Sequence, residues 1–245
     1  MKKQTATFRS GSFGLSLALL TSTTLLSCAK EEVRPAAPVQ EVSADGVAAV
    51  GCPASLPKVP GYPDIACGCY EVPGLAANKQ AYLAAGASLN FLASAMMETE
   101  RMDPKSYPDG DNKTRDAFNA GALKQNWYMM RTSYPAWKNA RPALTAADYG
   151  RARALNTDRK LDVAVYNAAV KQYGLDRFLA GHRGGQTGLN NPNTEDAKRF
   201  IAAYKWTVDR LSSNAEYRTN GIRFWVMIPA IRPSAPAAAL ASVEK

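Results

Sequence analysis

Residues 89–114 read LNFLASAMMETERMDPKSYPDGDNKT, and the stretch divides at Glu98. Before that point Leu89, Leu92 and Met96 recur at helical spacing and most of the remaining surface is also apolar, which predicts a central, buried helix. Extended backwards over the same pattern, the helix is expected to span Asn78–Thr99. After it, Pro108 to Asp111 is turn chemistry, which predicts a short hairpin or loop. The chain therefore leaves a buried helix through one carboxylate and enters a turn that carries others.

The acids of this segment are Glu98, Glu100, Asp103, Asp109 and Asp111. Glu98 closes an apolar helix and shares a face with Phe91 and Ser94. Desolvation there, together with the negative end of the helix dipole, is expected to raise its pKa, as a general acid requires. Asp111 follows Gly110 and precedes Asn112 and Lys113, neighbours that favour the charged form. A protonated acid facing an ionised one is the division of labour used in glycoside hydrolysis. Glu100, Asp103 and Asp109 are expected to be spectators, with Asp109 the alternative to Asp111.

Working outward, Asp158–Tyr173 has helical periodicity, and a third helix is expected after Pro192 with Thr194 as its N-cap. Arg223–Ile231 (RFWVMIPAI) is ambiguous between a strand and a buried helix. The expected fold class is mainly α (α+β), with one domain over residues 73–232 and a frayed tail over 233–245. Residues 28–75 hold seven of the fifteen prolines, so 28–72 reads as a linker.

At the start, Lys2, Lys3 and Arg9 precede an apolar run and then Leu25-Leu26-Ser27-Cys28. This has the layout of a secretory signal over residues 1–27 and resembles a bacterial lipobox, implying cleavage before Cys28, lipidation of its sulfur and a membrane-tethered, exported protein. The apolar run is shorter than the ~20 residues of a membrane span. An exported chain favours a disulfide, and Cys52 is expected to pair with Cys67 or Cys69. The formal charge of +9 falls to +6 without Lys2, Lys3 and Arg9, and the basic residues are scattered. No nucleic-acid partner is expected.

Other chemistries fit poorly. His182 is the single histidine, there is no Gly-x-Ser-x-Gly elbow, and Gly181-His182-Arg183-Gly184-Gly185 lacks the phosphate-loop pattern. Neither a metal nor a cofactor is expected, and the protein is expected to act as a monomer.

Ala95-Met96-Met97-Glu98-Thr99, Tyr107 to Thr114, Gly121-Ala122-Leu123-Lys124-Gln125-Asn126-Trp127, Ala180-Gly181-His182-Arg183, Gly188-Leu189, Asn191 to Thr194 and Arg223-Phe224-Trp225-Val226 together resemble glycoside hydrolase family 134. The resemblance covers about Ala77 to Ile231. It implies a lysozyme-like fold and inverting endo-hydrolysis of β-1,4-mannan without a metal, with Glu98 as general acid and Asp111 as general base. It also implies cleft roles for Asn112, Lys113, Lys124, Asn126, Trp127 and His182, Trp127 being either a stacking face or core. The sequence departs from the family pattern at Ala120 and Ala122, at Glu100 in place of Asn, at Arg115 in place of Gly, and in a Glu-to-Asp interval one residue longer. A peptidoglycan-cleaving enzyme and a non-catalytic glycan-binding lipoprotein are the alternatives.

Overall fold

The computed structural model describes residues 51–138 and 140–228. The signal, Cys28, the first part of the linker, Ile231 and the tail lie outside the described residues. The elements in order are β1 (Ala66–Glu71), α1 (Leu75–Ala84), α2 (Leu89–Glu98), β2 (Asn119–Ala120), β3 (Gln125–Asn126), α3 (Trp127–Ser133), α4 (Ala146–Ala154), α5 (Arg159–Tyr173), α6 (Leu175–Asn190), α7 (Glu195–Ser213) and β4 (Ile222–Met227). The architecture is mainly α with two small antiparallel sheets, β1–β4 and β2–β3, matching the expected class.

The single helix expected over Asn78–Thr99 is two helices. Gly86 adopts φ +90 and Ser88 caps α2 by accepting a hydrogen bond from the Phe91 N–H, so the chain turns between them. A hydrophobic pattern cannot reveal this break, because both helices bury apolar faces in the same core. Phe91, Leu92, Ala95 and Met96 of α2 are fully buried, and α7 and β4 lie against that helix. An aromatic chain runs outward through Phe91, Tyr166 and Phe178, with edge-on contacts at 5.4 and 5.2 Å. The other two helices start where expected. Asp158 caps α5 and Thr194 caps α7.

The described part of the ambiguous Arg223–Ile231 segment is strand up to Met227, within β4. Its partner, β1, comes from the proline-rich segment, with Gly68 opposite Trp225 and Ala66 opposite Met227. A Cβ at Gly68 would fall 2.6 Å from the Trp225 indole, so the ribbon needs glycine there. The same segment contributes Val59, Ile65 and Val72 to the core, and Cys52 is joined to Cys69 while Cys67 is free.

Two buried ionised-type groups tie distant pieces together. Lys79 is fully buried, donates to Tyr217 O (2.8 Å) and Ile222 O (2.6 Å), and burial pushes its pKa down to about 7. Lys79→Met would leave those carbonyls without this donor, so it is expected to lower Tm by several degrees, read by thermal unfolding.

Asp162 of α5 is likewise fully buried, and burial pushes its pKa up to about 7 despite three donors that favour the anion. A carboxyl whose folded pKa exceeds its unfolded value contributes stability below the unfolded pKa, and that contribution is lost as pH rises through the folded one. The Tm advantage of wild type over Asp162→Asn is therefore expected to shrink from pH 4 to pH 7, the interval bounded by 3.8 and about 7. A melting series across that range checks it.

Candidate active site

The end of α2 is fixed on both sides of Glu98. Two residues before it, Met96 O accepts from Nε (3.2 Å) and Nη2 (2.7 Å) of Arg223 in β4. A guanidinium at the last carbonyls suits the negative end of the helix. One residue after it, the Thr99 hydroxyl donates to Ala95 O (3.1 Å) and to Ala122 O (2.9 Å) in the β2–β3 turn. Glu100, one position further, accepts from the Tyr70 hydroxyl at 3.0 Å and is a strut rather than a free surface acid.

Asp111 sits in a left-handed turn. Gly110, Asp111 and Asn112 have φ of 60, 56 and 58 in succession. Aspartate and asparagine are among the few residues with side chains that tolerate this region. Glycine is required at 110 for a further reason, since a Cβ there would fall 2.3 Å from the Phe118 ring. The hairpin β2–β3 then clamps the Asp111 carboxylate. Asn119 Nδ2 donates to Oδ2 at 2.7 Å, and Lys124 Nζ lies 3.0 Å from Oδ1. The Lys124 ammonium also stands 3.9 Å from the centre of the Tyr107 ring.

His182 comes from α6, where Gly185 (φ 60, ψ −144) interrupts the helix and folds the chain back on itself. Gly188 then meets the Ala180 carbonyl so closely that a Cβ would lie 1.8 Å from its oxygen. That reversal accounts for the glycine run around His182. The imidazole is only 7% exposed, stacked on Phe178 and edge-on to Phe200. Its Nε2 lies 3.0 Å from Glu98 Oε1. No aligned hydrogen bond reaches either ring nitrogen among the described residues.

This partner reverses the expected pKa direction of Glu98. Burial does push the carboxyl up, and the Asp111 charge helps, but His182 and the Lys124 charge outweigh them and hold it below the ordinary glutamate range. His182 arrives from a distant part of the chain, on α6, and lies outside the local surroundings of the α2 end.

Glu98 and Asp111 line one cleft of about 410 Å³ together with Lys113, Lys124, Asn126 and His182, a size suited to a small-molecule or sugar site. Asn126 also caps α3 by accepting from the Met129 N–H at 2.9 Å. Asn112 is exposed on the turn and does not line the cleft. Trp127 is core. It is fully buried against Trp137 and donates from Nε1 to Arg141 O at 3.0 Å. Asp109 faces Arg153, at 2.6 Å from its Nη2, outside the cleft. Asp103 caps the short turn after it through the Lys105 N–H.

The cleft also contains residues that the sequence reading did not single out. Asn119 is the most consequential, because it orients Asp111. Asp116 and Arg183 line the rim, but each is occupied by a bidentate ion pair, with Arg131 and Asp196 respectively. Tyr128 and Gln186 complete it. A turn acid followed by Asn eight residues later is too common to have flagged Asn119. With a protonatable glutamate at one wall, a doubly clamped aspartate at the other and hydrogen-bonding groups between, the cleft can protonate a bound oxygen and hold a carboxylate ready to accept a proton. Comparison with curated proteins finds no match, whereas the sequence model of glycosyl hydrolase family 134 matches residues 76–228, and the chain belongs to that family.

Proposed function

We propose that the protein is an endo-β-1,4-mannanase acting with inversion, Glu98 serving as general acid and Asp111 as general base. The observation that carries this reading is the placement of both carboxylates in one cleft, with Asp111 oriented by Asn119 on one oxygen and Lys124 on the other. Inversion uses two carboxyls far enough apart, roughly 6.5–9.5 Å, for water to stand between the base and the sugar.

In the reaction, Glu98 gives its proton to the glycosidic oxygen as the bond to the anomeric carbon breaks. Asp111 takes a proton from the water that attacks the opposite face. The free site favours an ionised Glu98 beside His182, so the acid must acquire its proton on binding. A sugar that displaces water from the cleft strengthens the desolvation that raises the Glu98 pKa. Lys113, exposed at the cleft and without an ion-pair partner among the described residues, is placed to hydrogen-bond sugar hydroxyls.

The test is product release from β-1,4-mannan and from peptidoglycan, with the first-formed anomer followed by proton NMR. Mannan oligosaccharides appearing first as the α-anomer are expected. Product appearing first as the β-anomer, or release from peptidoglycan alone, overturns the reading.

We also propose that the chain is an exported lipoprotein tethered through Cys28. The lipobox-like sequence supports this, and the Cys52–Cys69 bond suits an oxidising compartment. Incorporation of labelled fatty acid that disappears in Cys28→Ser is the expected result.

A further inference from the structure

We propose that Asp162 is a positioning residue for the catalytic pair: from α5 it fixes the one hairpin that touches both the helix end bearing Glu98 and the side chain of Asp111. The inference rests on the acid and base assignment above and extends it to a residue outside the cleft.

Asp162 lies beneath the β2–β3 turn and is fully buried. Its Oδ2 accepts from the Ala122 N–H at 2.9 Å and from the Tyr82 hydroxyl at 3.0 Å, and its Oδ1 accepts from Gln125 Nε2 at 3.1 Å. The turn sits directly on the carboxylate. Gly121 has φ +79, and a Cβ on it would fall 2.2 Å from Oδ1. Asn156 holds the same turn from the side, accepting the Gly121 N–H at 2.8 Å.

From this anchor the hairpin reaches in two directions. Toward the acid, Ala122 uses its N–H on Asp162 and its carbonyl on the Thr99 hydroxyl, so one peptide unit's neighbours link Asp162 to the residue after Glu98. Toward the base, Asn119 and Lys124 flank the turn and grip the two oxygens of Asp111. Lys124 itself is held at φ +51, a conformation that only a fixed turn maintains in a residue with a side chain. A shift of the turn would therefore move the acid and the base relative to one another. Catalysis with a trapped water is sensitive to that separation, since misplacement by about 1 Å can reduce rate by ~10²-fold.

In its ionised form the carboxyl offers only acceptors to three converging donors. An amide at 162 would turn an NH2 toward one of them.

The experiment compares kcat, KM on β-mannan and Tm for wild type, Asp162→Asn, Thr99→Val and Lys79→Met. Asp162→Asn is expected to lose about 10- to 100-fold in kcat with KM changed less than about threefold. Thr99→Val cuts the link on the acid side without touching Asp162, and is expected to lose kcat in the same pattern by about fivefold. Thr99→Val stands in for Asp162→Asn where that variant does not fold. Lys79→Met lowers Tm through bonds to Tyr217 and Ile222 rather than to the hairpin, and is expected to hold kcat within about twofold. Asp162→Asn, or in its absence Thr99→Val, retaining kcat within twofold against an active wild type overturns this inference alone. So does a loss of kcat in Lys79→Met equal to theirs, which would mean that kcat only follows stability. An inactive wild type overturns the proposed function, and this inference with it.

Discussion

Glu98→Gln is expected to lower kcat on β-mannan by about 10²–10⁴-fold, the range of a lost general acid, with Tm within a few degrees of wild type. Glutamine keeps the shape of the side chain but has no acidic proton for the glycosidic oxygen. The fold tolerates it because the clamps at Met96 O and Thr99 are made by backbone and neighbouring side chains, not by the Glu98 carboxyl. The leaving group distinguishes this from general damage. An aryl mannoside whose phenolate departs without protonation is expected to lose far less than mannan does. A variant within about tenfold of wild type on mannan would remove Glu98 from the acid role.

Asp111→Asn is the second large effect, and its pattern should differ. Removal of the base is expected to cost about 10²–10⁴-fold on mannan and on the activated aryl mannoside alike, because both need water deprotonated. Asparagine tolerates the left-handed backbone at φ 56, so the turn should persist. It offers Lys124 no charge, which leaves an ammonium at the cleft without its partner. Asp109→Asn is the comparison. That carboxylate is paired with Arg153, which holds its pKa below the ordinary aspartate range, and the change is expected to leave kcat within about twofold. The opposite ranking of the two variants would exchange the roles of Asp109 and Asp111.

What was legible in the sequence was local. The apolar run ending at Glu98, the turn chemistry of Pro108 to Asp111, the helical periodicity of Asp158–Tyr173 and the cap at Thr194 are decided locally, and all appear in the structure. What was not legible depended on contacts between distant positions. The β1 strand has no recognisable pattern until Ile222–Met227 is laid beside it. Asn119 becomes functional only when the hairpin presses it onto Asp111. The Glu98 pKa was argued from its own helix, and the group that reverses its direction stands on α6. The motif containing Trp127 suggested a cleft residue or core with equal force. Its full burial against Trp137 decides for core.

The β1–β4 ribbon has a consequence for how the chain is delivered. Ala66 pairs with Met227, and Lys79 finds its acceptors at Tyr217 and Ile222, so the first pieces of the domain are completed by the last. A chain supplied from its N-terminal end, by a ribosome or through a pore, presents β1 as an open edge and Lys79 as a charged side chain until residues near 227 arrive. Closure over so long a separation is slow compared with helix formation. The domain therefore completes its fold only once β4 is present.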